Sequence, residues 1–345
     1  MVPGHEHGDQ GVPFLTDLPR SPSVLIFGMK QSMVVQGGLL LAQLINATYN
    51  VLAQHMLTKD GADPIIFSVY RDLAAAPILH GGAMILDGFR TPHKEDVPRI
   101  IVQGFLGVFC NQILFLVGMQ MTNANVASIV NLLLPVFAGT LSILLGMDSF
   151  RWSSVTGLSM AVAGAVYMKA GGPTSHDNPN FTLGVMIIAL GAFTSACYYI
   201  IQKGSLVKYP PVTVTAWEYW IGFGFMLLAG LPLVDQPGRW HLSPNAMVAL
   251  FFSVIFNSVV KYALSTYCNK HVSPIVLTTW ATLVPVLTVA LSAIFLGTPL
   301  QWRYLGAGPI IVGTFLVTKG RVEAEKRKEE QKRRDDLYRK DDEEI

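Results

Sequence analysis

The sequence predicts an all-α polytopic membrane protein with ten transmembrane helices in two inverted five-helix repeats. Three observations carry the prediction. The 345-residue chain is 51% hydrophobic and only 14% charged, against about a quarter charged in ordinary soluble domains. Its mean hydropathy is +0.42, although the C-terminal stretch KGRVEAEKRKEEQKRRDDLYRKDDEEI concentrates much of the charge and leaves the middle still more apolar. Runs of the roughly 20 apolar residues that a bilayer core requires recur along the chain, and the chain repeats itself at an offset near 150.

Residues 1–33 are polar or mixed and read as a cytosolic tail. The run near 34–57 is then an internal anchor, not a cleaved signal peptide. TKDGAD turns the chain into a second run, 64–87, and GFRTPHKEDVP leads to a third, 97–118. QMTNA and MDSF bound the fourth, 122–145, and the fifth, 151–169, completes the first repeat (34–169). The loop 170–181, GGPTSHDNPN at its core, leads into the second repeat (182–319). There the runs are 182–203, 211–234, 244–266, 272–295 and 301–319, joined by KGSLVKYPP, DQPGRWHLSPN, NKHVS and GTPLQ. Residues 320–345 form a charged tail whose bases are matched by its own acids, so it reads as a solvated helix. A net charge of +2 argues for no nucleic-acid partner. With both termini in the cytosol, roughly nineteen of the 25 Lys and Arg fall on that side, as the positive-inside rule expects.

The repeat has landmarks. NLLLPVFAGTLSILLGMDSFRW (131–152) aligns with ATLVPVLTVALSAIFLGTPLQW (281–302), which sets Pro135 opposite Pro285 and Trp152 opposite Trp302. ADPIIFSVYRDL aligns with YPPVTVTAWEYW, placing Arg71 opposite Glu218. Lys261 aligns with Asn111. Five spans per repeat is odd, so the copies are inverted, an architecture that secondary transporters use with the site near the midplane.

Charges within hydrocarbon cost about 3 kcal/mol each on insertion scales, and they mark function by default. Arg71, Asp72, Glu218 and Lys261 lie inside spans. At 1.5 Å per residue, Glu218 and Lys261 fall at one depth near the cytosolic side, whereas Arg71 and Asn111 fall near the other. The expectation is two polar clusters bracketing a central cavity, with a breakable Glu218–Lys261 salt bridge and Lys261 as an anchor for a substrate carboxylate. Asn257 lies four residues before Lys261 on the same helical face. Glu218 is the candidate for proton coupling. Asn46, Asn50, Asn125, Asn131 and Thr278 add amides and hydroxyls, and Trp280 adds an aromatic wall. The bland readings are a snorkelling Arg71 and amides that merely join helices.

VYRDL, NQILFLVGMQMTNANVASIVNLLLPV (111–136) and LGAGPIIVGTFLV resemble the plant branch of the drug/metabolite transporter superfamily. These are the EamA-domain proteins called walls-are-thin and usually-multiple-acids-move-in-and-out transporters. The chain departs from them where Gly297 is followed by Thr298. The resemblance implies a secondary transporter of amino acids or auxin-like carboxylates, without a bound cofactor or metal, in the plasma or vacuolar membrane. It also implies that spans one, three, four, eight and nine line the cavity. The alternative is a nucleotide-sugar or sugar-phosphate exchanger of the same superfamily, which needs several cavity cations. The chain has no Gly-x-Ser-x-Gly, His-Glu-x-x-His or P-loop, so the reading is not an enzyme. HEHGD in the N-terminal tail is the one metal-like string, and it lies outside any span.

Overall fold

The computed structural model describes residues 25–26, 29–58, 60–88, 90–122, 124–147, 151–169 and 180–296, with single residues and runs of two or three beyond 296. Most of both tails and about half of the tenth predicted span, 301–319, therefore lie outside the described residues.

A two-residue antiparallel pair, β1 (Leu25–Ile26) and β2 (Met29–Lys30), precedes the helices. Helix α1 spans Gln31–Thr58 and α2 spans Pro64–Asp87. Asp63 starts α2 by accepting from the amides of Ile65 (2.9 Å) and Ile66 (3.3 Å), with Pro64 at the first helical position, where no amide is needed. Next come α3 (Val97–Met121), α4 (Ala124–Val130), α5 (Leu133–Leu144) and α6 (Trp152–Lys169). The second half holds α7 (Phe181–Ser205), α8 (Pro211–Gly230), α9 (Pro244–His271), α10 (Pro274–Trp280) and α11 (Val284–Leu296).

Six stretches are both long and apolar enough to cross a membrane: α3, α4–α5 from Val126, α7, α8 extended to Leu233, α9, and α10–α11 to Leu291. Helices α1 and α2 have 28 and 24 residues, length enough to span. The amides of α1 and the Arg71-Asp72 pair of α2 make them more polar. The expected count of ten is not reached among the described residues.

The bundle buries charged side chains of its spans beside its apolar core and turns large apolar side chains outward. Arg71, Asp72 and Glu218 are 2%, 0% and 0% exposed, whereas Ile85, Leu228, Val248 and Phe251 are all more than 60% exposed. Scattered apolar exposure is normal on a soluble protein, but a whole apolar mantle over a charged interior matches lipid outside.

Helix α2 packs along α8, and α3 lies against both α7 and α8. Glycines permit the closest of these approaches. A Cβ at Gly107 of α3 would stand 2.2 Å from the Tyr198 ring on α7, and one at Gly104 would stand 2.8 Å from the Glu218 carbonyl on α8.

Two irregularities recur at the repeat offset. Helix α3 winds as a π-helix over Gly104–Cys110, and α9 does so over Ser253–Lys261. The first run ends at Cys110, one residue before Asn111, and the second ends at Lys261, the residue that the repeat aligns with Asn111. Likewise α4 and α5 break at residues 131–132, while a single 3₁₀ turn, Ala281–Leu283, separates α10 from α11. Pro135 and Pro285 explain the breaks. Neither can donate to the carbonyl four residues back, so Asn131 and Ala281 accept three-residue bonds from Leu134 and Val284 instead.

Candidate functional site

A cavity opens between the two halves. Seven residues singled out in the sequence line it: Asn46 from α1, Arg71 from α2, Asn111 from α3, Asn131 from the break after α4, Asn257 and Lys261 from the π-helical run of α9, and Thr278 from α10. Tyr49, Tyr199, Tyr262, Phe115 and Leu277 supply its aromatic and apolar walls.

Arg71 is held on two sides. Its Nη1 donates to the Tyr49 hydroxyl (3.0 Å), and its Nε lies 3.4 Å from Asp72 Oδ1. Gln112 Nε2 donates to the same Asp72 oxygen at 3.1 Å. This fixes the guanidinium while leaving its Nη2 buried with no hydrogen-bond partner among the described residues. Asn257 Oδ1 and Gln112 Oε1 are buried and open in the same way. Buried polar atoms are nearly always paired. Three open ones on residues lining one cavity mark a place for a polar ligand or water.

Lys261 is half-buried, and its ammonium lies 4.6 Å from the centroid of the Tyr262 ring. A ring face is a weak partner for a cation, and no carboxylate oxygen among the described residues lies within 4.0 Å of it. Asn111 is anchored: its Nδ2 donates to Ser195 Oγ, and its Oδ1 accepts from the Tyr262 hydroxyl at 3.4 Å. The formal charge of Arg71, Lys261 and Asp72 together is one positive unit.

Two expectations require correction. Glu218 does not pair with Lys261 and does not line the cavity. Its carboxylate accepts from Tyr198 (3.0 Å) and from Gln202 (3.1 Å to each oxygen), on the α7 side of α8. Depth along the membrane normal does not determine which way a helix face points, and the sequence estimate concerned depth alone. Trp280 lies off the cavity, packed with Val35, Leu39, Val276 and Leu277.

Sequence reasoning passed over the tyrosines, which look like core residues in an apolar span. A signal for two of them existed: Tyr49 and Tyr199 stand 150 apart, the repeat offset, and both line the cavity.

Both ends of the bundle are tied by loop contacts. At one, Asp63 meets Arg239 at 3.2 Å and Tyr70 donates to the Trp240 carbonyl. At the other, Lys208 Nζ (2.9 Å) and the Tyr209 hydroxyl (2.8 Å) both donate to Asp96. These two bonds, the Lys208 bond foremost, hold the Asp96 carboxyl below the usual carboxylate range.

The EamA-like transporter family matches the chain twice, over residues 36–169 and 182–319. An uncharacterized transporter of Bacillus subtilis, YdfC, is 27% identical over 69% of this chain and 74% of its own. A WAT1-related protein of Arabidopsis thaliana is 24% identical over 81% of this chain and 84% of its own length, and a second is 26% identical over 65% and 68%. A solved crystal structure superposes with a TM-score of 0.65 at 17% identity, covering 80% of this chain and 98% of that one, a likeness of fold.

Proposed function

The chain belongs to the EamA-like transporter family, and from that premise we propose that it moves a small organic monoanion, an amino acid or an auxin-like carboxylate, by alternating access through this cavity. The observation that carries the reading is Lys261. This residue lines the cavity from a π-helical run, its ammonium lies over the Tyr262 ring, and no carboxylate among the described residues stands within 4.0 Å of it; π-bulges recur at functional sites. A carboxylate is the partner such a cation lacks. Arg71 Nη2 offers a second donor, and the apolar walls suit a hydrocarbon or aromatic body. With Asp72 offsetting Arg71, the local charge matches one carboxylate better than a doubly charged phosphate. That balance favours the carboxylate over a sugar phosphate.

Alternating access has material support in the paired breaks at Asn131 and Ala281, since transporters build midplane sites from interrupted helices. In this reading both termini lie in the cytosol, together with the Asp96–Lys208 end of the bundle, and the Lys and Arg distribution supports that orientation. The membrane in this reading is the plasma or vacuolar membrane, with lipid as the surrounding partner.

The test is uptake into proteoliposomes carrying the purified chain. Labelled amino acids and indole acetic acid are compared with sugar phosphates and nucleotide sugars. Saturable uptake of a carboxylate supports the reading. Uptake confined to the phosphorylated sugars transfers it to the exchanger class.

A further inference from the structure

Behind the cavity wall lies a second polar cluster that the carboxylate reading leaves unused. Glu218 is 0% exposed, and it stands opposite Arg71 in the repeat alignment. The two positions are treated differently. In the first repeat the buried carboxylate, Asp72, has an arginine 3.4 Å away. In the second, Glu218 accepts, among the described residues, from the Tyr198 hydroxyl and the Gln202 amide. The network continues through neutral groups. Gln202 Nε2 lies 3.2 Å from Thr266 Oγ1, which accepts from Thr215 at 2.9 Å, and Asn269 donates to Gln202 Oε1 at 2.9 Å. These bonds join α7, α8 and α9 at the end where Lys203 donates to the carbonyls of Asn269 and Val272.

The charged and titratable groups on the surrounding helices are engaged elsewhere. On α2, Arg71 and Asp72 are tied to Tyr49 and Gln112, while His80 meets the rings of Trp217 and Trp220. On α3, the titratable side chains are Arg99, near the Asp96 clasp, and Cys110, at the end of the π-helical run. On α7, Tyr198 is bonded to Glu218, Tyr199 lines the cavity and Lys203 caps backbone carbonyls. On α9, Lys261 lies over Tyr262, whose ring meets Tyr219 edge-on. No cation among the described residues stands within 4.0 Å of the Glu218 carboxylate.

A bare carboxylate charge taken out of water needs compensation. Where no cation supplies it, a proton does, and the same carboxyl gives the proton up when water reaches it. We propose that Glu218 is a proton-binding site, occupied while the α7–α8–α9 contact is closed and vacated when that end of the bundle opens, so that each transport cycle carries one proton. The carboxylate takes the proton on one oxygen and returns it to water; no other bond changes. The proposal rests on the transporter reading and adds a second ligand to it.

The experiment uses the full chain in proteoliposomes with whichever carboxylate the uptake assay identifies. Two modes are compared, accumulation driven by a pH gradient at zero membrane potential and exchange of equal substrate on both sides without a gradient. One pH unit drives up to about tenfold accumulation per coupled proton. In the wild type, accumulation follows the gradient, and a trapped pH dye registers proton movement on substrate addition. Glu218→Gln is expected to abolish both while keeping exchange, which becomes independent of pH. Glu218→Asp is expected to retain coupling with a displaced pH profile. Gradient-driven accumulation surviving in Glu218→Gln overturns the proposal, as does a wild type that exchanges substrate but ignores the gradient. Should Glu218→Gln lose exchange as well, Glu218→Asp decides: a displaced pH profile supports the site, and an unchanged one overturns it. A wild type that moves no substrate in either mode refutes the transporter reading instead, so the two failures are distinguishable.

Discussion

Replacing Arg71 with methionine isolates what the Arg71–Asp72 pair does. The guanidinium is 2% exposed and Asp72 is 0% exposed. At the observed 3.4 Å, unit charges attract by about 5 kcal/mol at an effective dielectric near 20. Arg71→Met keeps most of the side-chain volume but leaves Asp72 with only the Gln112 amide at 3.1 Å. Breaking a buried pair from one side costs about 3–5 kcal/mol, because an uncompensated charge remains. Removing both charges with Arg71→Met/Asp72→Asn is expected to recover most of that loss, since Gln112 can still bond the new amide. The assay is reversible unfolding of purified protein in detergent, run as a double-mutant cycle. A coupling energy of about 2 kcal/mol or more is expected between the two positions, within the range seen for contacting residues. The transport result separates the two roles of Arg71. If Nη2 contacts substrate, the double variant regains stability but not uptake. A single Arg71→Met variant as stable as the wild type would refute the argument, by showing that the charges are hydrated and not buried.

Other perturbations probe the frame around the site. Gly107→Ala places a methyl 2.2 Å from the Tyr198 ring and is expected to cost about 1–3 kcal/mol by overpacking, with Tyr198 displaced from Glu218. Gly37→Ala, with nothing within 4 Å, is the control, expected to be neutral or to stabilise by about 0.5–1 kcal/mol; thermal unfolding of the pair checks both. The Asp96 clasp has a definite pH sign. Its carboxyl titrates lower in the fold than in the unfolded chain, so its stabilisation is complete above the ordinary carboxylate value of about 4 and fades as pH falls through the depressed folded value. The protection that the clasp gives residues 90–96 against amide exchange should therefore be constant between about pH 5 and 8. Asp96→Asn should accelerate it modestly, by no more than about 1 kcal/mol, because Lys208 is 44% exposed.

Several features of the site were legible in the sequence because bilayer physics is strict. A charge or amide inside an apolar span must face protein or a polar cavity, and Asn46, Arg71, Asn111, Asn131, Asn257 and Lys261 do line one cavity. The repeat alignment of Asn111 with Lys261 also corresponds to structure, since Lys261 ends one π-helical run and Asn111 directly follows the other. Rotation about the helix axis was not legible. Glu218 has the depth of Lys261 yet turns toward Tyr198 and Gln202, and the spacing of one helix says nothing of the azimuth of another. The π-helical runs leave no composition signal, because GFLGVFC and SVIFNSVVK read as ordinary α-helix. Trp280 illustrates the converse error. A lone tryptophan beside threonines has the composition of a binding wall, but it fills space among Val35, Leu39, Val276 and Leu277.

The most direct test of the central claim is carboxylate uptake by Lys261→Ala and Lys261→Arg beside the wild type. The account predicts that Lys261→Ala loses at least about tenfold in uptake at low substrate, the equivalent of one charge-assisted hydrogen bond. It also predicts that Lys261→Arg retains a measurable part, and that an uncharged amide analogue of the substrate is handled no better by the wild type than by Lys261→Ala. Equal carboxylate uptake by the wild type and Lys261→Ala would contradict it, and would reduce Lys261 to a cation resting on the Tyr262 ring.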